Sequence, residues 1–246
     1  MSLPVHWVES LADAVEGGTV EVTGDEAHHA VAVRRLRVGE SVVLTDGRGR
    51  SVTGPVASTG KRVFAVTAAS VSDVPEPVPT VTVVQAIPKG DRGELAVEVL
   101  TEIGVARIVP WAASRSVAVW KGERGTKALA RWRSTAREAS KQARRAWFAE
   151  VTEPAGTADV VGLVEAADRA VVLHEEATSP LSGVEPSGSL LVVVGPEGGL
   201  SDEEVAAFEA AGAHAVRLGP EVLRTSTAGV AAVAALLART GRWGYR

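Results

Sequence analysis

The sequence predicts a two-part chain, a small β-rich domain or barrel followed by an α/β domain built on a parallel sheet. Three observations carry this reading. Before residue 71, short alternating runs such as TVEVT (19–23), ESVVLTD (40–46) and RVFAVTAASV (62–71) sit between Gly and Asp turn signals. The stretch VSDVPEPVPT (71–80) then places proline at 75, 77 and 79, which favours extended, hydrogen-bond-poor chain. After it, strand candidates alternate with helical segments, which implies a parallel sheet covered on both faces. The expected domains are therefore 1–73 and 80–246, joined by a proline-rich linker at 74–79.

In the first domain one helical stretch, DEAHHAVAVRRL, interrupts the strands. In the second, TVTVVQAI (80–87) reads as a buried strand and GELAVEVLTEIG as a helix stopped by Gly104. ARIVPW (106–111), AVVLH (170–174), LLVVV (190–194) and AVRLG (215–219) supply the remaining strands. A helix over 128–147 places Leu129, Trp132, Ala136, Ala139, Ala143 and Trp147 on one face, with Lys127, Arg131, Arg137, Lys141 and Arg145 near the other. Such a charged face is usually solvated. Here, however, residues 121–150 hold nine Lys or Arg against three acids, in a chain of net charge -4, so contact with a phosphate backbone is a serious alternative. Arg34, Arg35 and Arg37 form a second basic cluster. The last segment, TAGVAAVAALLA (227–238), is apolar nearly all round and should be buried on every side, in a core or a subunit interface, with Thr225 or Ser226 as its N-cap.

Composition narrows the chemistry. The 246 residues are 46% hydrophobic and 23% charged, ordinary values for a globular protein. With no cysteine, disulfides, thiolate metal ligands and a cysteine nucleophile are all excluded. The start MSLPVHWVES does not read as a signal peptide, and no window reaches the roughly 18 apolar residues of a membrane span, so a soluble, cytoplasmic protein with no membrane partner is expected. His28 and His29 are adjacent and cannot easily share one metal, so no metal site is expected. No GxSxG, HExxH or paired-carboxylate arrangement occurs, which fits transfer of a group already activated on a cofactor.

In a parallel sheet, ligands collect beyond the carboxyl ends of the strands. Three loops stand there: IPKGDRG (87–93), VGPEGGLS (194–201) and LGPEVLRTSTAG (218–229). GPEGG matches neither phosphate-loop pattern. Ser201 with Glu204 forms a capping box, and Asp202, Glu203 and Glu204 bring three carboxylates to the helix start, where an incoming phosphate would be repelled. The glycines instead let main chain approach a ligand that is neutral or cationic where it touches them, such as a sulfonium nucleoside. His174 ends a strand at this edge, where histidines often only cap or pack.

Taken in order, HHAVAVRRLRVGE, PKGDRGE, TEIGV, SRSV, KQARR, VGPEGGLS and RLGPEVLRTSTA resemble the ribosomal RNA small subunit methyltransferase E family of the SPOUT superfamily. The resemblance runs from about residue 20 to the C-terminus, and GPEGG followed some twenty residues later by LGxxxLRT is its specific part. It implies an S-adenosylmethionine-dependent enzyme that methylates N3 of one uridine in small-subunit (16S) ribosomal RNA, acting on the RNA or a ribosomal particle. It also implies a PUA-like β-barrel, a SPOUT α/β domain with a C-terminal trefoil knot, and a homodimer. Bottom-up reasoning would not have proposed a knot.

By the same resemblance, Gly195, Pro196, Glu197, Gly198 and Gly199 match the first cofactor loop and Leu218, Gly219, Leu223, Arg224 and Thr225 the second. Leu173 and His174 lie where a third wall of the adenosine pocket is expected. Lys89, Arg92, Arg115, Gln142 and Arg145 match positions facing RNA, as do Arg34 and Arg37 in the first domain, and Arg115 or Arg145 is expected to steady the uracil anion. Two departures are visible. The family commonly reads LRTETA where this chain has LRTSTA, so Ser226 brings no carboxylate. Its EQxxR pattern is here KQARR, so Lys141 is expected to make the RNA face more basic. Two other readings remain: a non-catalytic RNA-binding protein with a vestigial pocket, and an ordinary Rossmann transferase, which lacks its GxGxxG.

Overall fold

The computed structural model describes residues 3–243. It divides into two compact units, Met1–Glu76 with Lys141–Phe148, and Pro77–Ser140 with Ala149–Arg246. The outermost ends of the expected domains, residues 1, 2 and 244–246, lie outside the described residues.

The first unit is a six-stranded sheet. Its strands are β1 (Val5–Trp7), β2 (Thr19–Thr23), β3 (Ser41–Thr45), β4 (Arg50–Thr59), β5 (Val63–Thr67) and β6 (Ser70–Asp73), ordered β1-β3-β4-β5-β2 with β6 on β4. A short helix α1 (Gly24–His28) continues into one π-helical turn, His29–Val33. Strands β2, β3 and β5 fall where alternation places them. Strand β4 is not among the alternating runs picked out above. It is one ten-residue strand, whose first half pairs with β3 and β6, with Gly54 and Pro55 opposite Val42 and Ser41, and whose second half pairs with β5 across a register shift between Val56 and Ser58. A Cβ at Gly54 would collide with the Thr67 carbonyl, so this position admits only glycine.

Residues 141–148 pack with this first unit, which interrupts the unbroken second domain expected over 80–246. The cause is local and specific. Trp147 Nε1 donates to the Val74 carbonyl at 2.8 Å, Phe148 N donates to the Gly47 carbonyl at 2.8 Å and Gly49 N donates to the Ala146 carbonyl at 2.9 Å. Gly47 (φ +71°) and Gly49 (φ +97°) take left-handed conformations, and a Cβ on either would meet an aromatic ring at 2.8 Å.

The expected basic role of Lys141 is corrected here. Its side chain is only 7% exposed, and Nζ donates to both oxygens of Glu26, at 3.2 and 3.0 Å. His6 Nδ1 lies 3.1 Å from the same carboxylate. Lys141 is thus spent on an internal acid and adds nothing to a basic surface. Burial pushes the Glu26 carboxyl up, but hydrogen bonds from His6 and Lys141, with the lysine charge, outweigh it and hold the group at about 2 against an ordinary 4.5. A depressed carboxyl stabilises the fold fully above its unfolded value and loses that contribution as protons reach the folded value. Stability of the first unit is therefore expected to fall between pH 4.5 and about 2, on the order of 2 kcal/mol once residual solvent screening is allowed for. Urea midpoints measured across that range check this, and a Glu26→Gln variant should show a flatter profile.

The second unit carries a wholly parallel six-stranded sheet. Its strands are β7 (Thr80–Ala86), β8 (Arg107–Trp111), β9 (Glu150–Val151), β10 (Arg169–Leu173), β11 (Ser189–Val194) and β12 (His214–Val216), in the order β12-β10-β11-β7-β8-β9. Alternate residues of each strand feed opposite faces. Val81, Val83, Leu190 and Val192 meet α2 (Arg92–Glu102), α3 (Gly122–Gln142) and α6 (Thr225–Leu237). Val84, Leu191, Val193 and Val172 meet α4 (Thr157–Ala166) and α5 (Asp202–Ala210).

Two helices depart from expectation. Helix α3 starts at Gly122 and ends at Gln142, so Leu129, Trp132, Ala136 and Ala139 form its buried stripe, while Ala143 and Trp147 lie beyond its end. Helix α6 is capped by Arg224 backbone rather than by the Thr225 or Ser226 side chain. Within the single chain Val233 and Leu237 are core, whereas Ala235 and Ala238 are exposed and Ala231 and Ala234 half-buried.

Candidate functional site

The carboxyl ends of β10, β11 and β12 open into one cavity of about 900 Å³, within the roughly 300–1,000 Å³ of small-molecule sites. Two backbone turns form its walls. The first follows β11. A Cβ on Gly195 would sit 3.1 Å from Leu200, and one on Gly198 would sit 3.0 Å from the Arg115 carbonyl oxygen. Gly199 adopts φ +71°, and its N–H donates to the Pro196 carbonyl at 3.0 Å, closing the turn. A side chain at 195 or 198 would thus press on Leu200 or on the Arg115 segment behind the turn. The second turn, Leu218 to Thr225, runs from β12 into α6, and Gln85 Nε2 ties it to β7 by donating to the Thr225 carbonyl at 3.2 Å.

All twelve residues expected in the pocket line this cavity: Leu173, His174, Gly195, Pro196, Glu197, Gly198, Gly199, Leu218, Gly219, Leu223, Arg224 and Thr225. Arg92 and Arg115 line it as well. Lys89 does not, although its backbone N–H donates to Glu197 Oε1 at 3.3 Å. Arg34, Arg37, Gln142 and Arg145 belong to the first unit, where the two arginines of the early cluster and Gln142 are exposed and Arg145 Nε donates to the Trp147 carbonyl at 2.7 Å. Sequence reading missed Glu175, Glu176, Arg217 and Glu221, which also line the cavity. Glu175 and Glu176 follow the strand AVVLH, Arg217 precedes the loop 218–229 and Glu221 lies within it, so position beside those segments is the only signal the sequence carries for them.

The charges lining the cavity are nearly balanced. Five carboxylates line the cavity, from Glu175, Glu176, Glu197, Asp202 and Glu221, against four guanidinium groups. The start of α5 is already capped, with Ser201 Oγ accepting from Glu204 N at 3.2 Å and Ser201 N donating to Glu204 Oε2 at 3.1 Å. The Glu203 backbone N–H, then the Ser201 hydroxyl, hold the Glu203 carboxyl below its ordinary range, with Arg115 adding to the effect. The helix-start charge is thus met by the chain's own acids. Ser226 is buried, and its hydroxyl has no hydrogen-bond partner among the described residues.

Residues 74–237 match the family model of an RNA methyltransferase domain, and residues 22–67 that of an RNA methyltransferase PUA domain. The chain is 46% identical to ribosomal RNA small subunit methyltransferase E of Mycobacterium bovis, with 97% of this chain and 93% of the relative covered. The chain belongs to the ribosomal RNA small subunit methyltransferase E family. The Bacillus subtilis member is 28% identical, with 92% of each chain covered. The solved structure of the family member from Neisseria gonorrhoeae, bound to S-adenosyl methionine, superposes with a TM-score of 0.85 at 27% identity over 96% of this chain and 97% of that one. A Legionella pneumophila protein described as a methyltransferase, in complex with the cofactor SAM, gives 0.86 at 28% identity, covering 97% and 98%. Ser226, at the position where the resemblance led one to expect a glutamate, is thus a buried serine.

Proposed function

We infer that the protein methylates N3 of one uridine in small-subunit ribosomal RNA, with S-adenosylmethionine held between the two backbone turns of the second unit. The cavity walled by bare main chain at 195–199 and by 218–225 carries this reading. A nucleoside carrying a sulfonium fits these walls: close main-chain approach suits the adenosine, and the carboxylates among the lining residues suit the positive sulfur, while the start of α5 is already occupied by the chain's own acids. S-adenosylmethionine, when bound, supplies a methyl group already activated on sulfur. What remains for the chain is orientation and charge.

Uracil N3 must lose its proton and leave any base stack to be reached. A guanidinium facing O2 or O4 lowers the cost of the resulting anion. Arg115 is favoured for this, because it lines the cavity while its Nη1 is anchored on the Leu200 carbonyl at 2.9 Å. Arg145 is the alternative. Arg34, Arg37, Lys89, Arg92 and Gln142 would hold the RNA. Arg115→Ala is expected to lower turnover at saturating RNA on the order of 100-fold, the usual effect of losing one anion-stabilising donor. Unchanged turnover would remove Arg115 from the role, and the same variant at Arg145 tests the alternative. Nucleoside analysis of ribosomal RNA from a deletion strain tests the activity itself: 3-methyluridine at one site should vanish and return with the wild-type gene.

The finer features of the family reading belong here too. The match of residues 22–67 to a PUA domain supports a PUA-like barrel, and membership of the family supports a C-terminal knot around the cofactor site. The exposed Ala235 and Ala238 of α6, with Val222 at 76% exposure on the preceding turn, support a homodimer through small residues. Light scattering should then give twice the chain mass, and Ala235→Arg should give monomer. A ribosomal RNA substrate supports a cytoplasmic location. No helix among the described residues is long and apolar enough to cross a membrane.

A further inference from the structure

We infer that Glu204 is a positioning residue that pins the Arg115 segment to the first turn of the cofactor cavity; this rests on the methyl-transfer reading above. In an ordinary capping box the glutamate returns one oxygen to the N-cap amide and stays at the surface. Asp202 and Glu203 of the same helical turn are exposed in that way. Glu204 is 4% exposed and does not line the cavity. Its Oε2 accepts from Ser201 N at 3.1 Å, which satisfies the cap. Its Oε1 is spent elsewhere, accepting from Ser114 N at 2.8 Å and from Thr157 Oγ1 at 3.3 Å. One carboxylate thus joins three parts of the chain: the start of α5, the start of α4 and the loop that leaves β8.

The consequence falls on Arg115. Its backbone follows the amide that Glu204 holds, its Nη1 donates to the Leu200 carbonyl, and its own carbonyl faces Gly198. With main chain fixed on one side and the guanidinium anchored on the other, the arginine has little freedom left in the direction it presents to the cavity. The geometry requires two acceptor oxygens, because both Ser114 and Ser201 offer N–H donors. A glutamine would turn an NH₂ group toward one of them, leaving two donors face to face.

Glu204→Gln is the test, read in the free protein and in turnover. Amide hydrogen exchange in the unliganded protein should quicken at least tenfold at residues 114–116 while the rest of α5 stays protected. Turnover should fall at least tenfold with the KM for S-adenosylmethionine within threefold, and Glu204→Gln combined with Arg115→Ala should be no slower than Arg115→Ala alone within twofold. Ser201→Ala, which removes the hydroxyl half of the cap, should leave turnover within twofold. If Glu204→Gln does not fold, Glu204→Asp takes its place, since it keeps the charge but is a methylene too short to reach both amides. Exchange that quickens only at 201–204, or losses that multiply in the double variant, would overturn the inference and leave Glu204 a cap. Wild-type protein that neither binds the cofactor nor turns over would instead sink the activity, and the exchange result would still decide whether Glu204 holds the loop.

Discussion

Gly198→Val is expected to weaken cofactor binding strongly, and methyl transfer with it at sub-saturating cofactor, while leaving the protein folded. A Cβ at this position already stands 3.0 Å from the Arg115 carbonyl oxygen and 3.2 Å from its Cβ, and valine adds two methyl groups beyond it. The main chain on both sides is committed: the Arg115 segment by Ser114 N and the Arg115 guanidinium, the turn by its own hydrogen bond from Gly199 N to the Pro196 carbonyl. The turn must then move into the cavity or away from it, and either shift spoils contacts made by backbone atoms. A loss of about 2–3 kcal/mol in cofactor affinity, on the order of 30- to 150-fold, should appear in calorimetry. The melting temperature should move little, since Gly198 is exposed and outside the apolar core. Cofactor binding at wild-type strength would mean that the first turn is not a wall of the site.

Lys141→Met should destabilise the first unit by about 3 kcal/mol, the lower end of what is seen when one partner of a buried ion pair is removed. Methionine roughly conserves the volume, so the loss measures the charge left behind on Glu26, whose side chain is 14% exposed and keeps its contact with His6. Urea denaturation at neutral pH reads the effect. Lys141→Met combined with Glu26→Gln should recover much of it, because a neutral pair removes the uncompensated charge. RNA affinity should be unaffected in the folded variant. The opposite pattern, intact stability with weakened RNA binding, would restore the expectation that Lys141 belongs to a basic RNA face.

That expectation shows where sequence reading stops. Position 141 lies on the charged side of a helix by periodicity, and nothing within thirty residues on either side marks it as internal. Its partner is 115 residues away, and only the fold brings them together. Glu204 is the same case in milder form. Its capping box was legible because both members lie within one turn, whereas the hold on Ser114 spans 90 residues. Strand β4 is hard to see for a different reason, since Gly54 and Pro55 carry the local chemistry of a turn yet lie within a continuous strand. What could be read was local or composed of local pieces. Strands β7, β8, β10 and β11 announce themselves as apolar runs that end at turn residues. The two cavity turns lie at the carboxyl ends of such runs, where a parallel sheet collects ligands, so their meeting place followed from the sheet rather than from either motif alone.

The central claim is that main chain bared by glycine at 195–199, opposed to the turn at 218–225, grips a methyl-bearing sulfonium nucleoside. A crystal of the protein soaked with S-adenosylmethionine tests it most directly. The account predicts density for the nucleoside between those two turns, with protein contacts drawn chiefly from backbone amides and carbonyls and with Arg115 beside the methyl group. Density at another place, or a cavity that stays empty at saturating ligand, would contradict it.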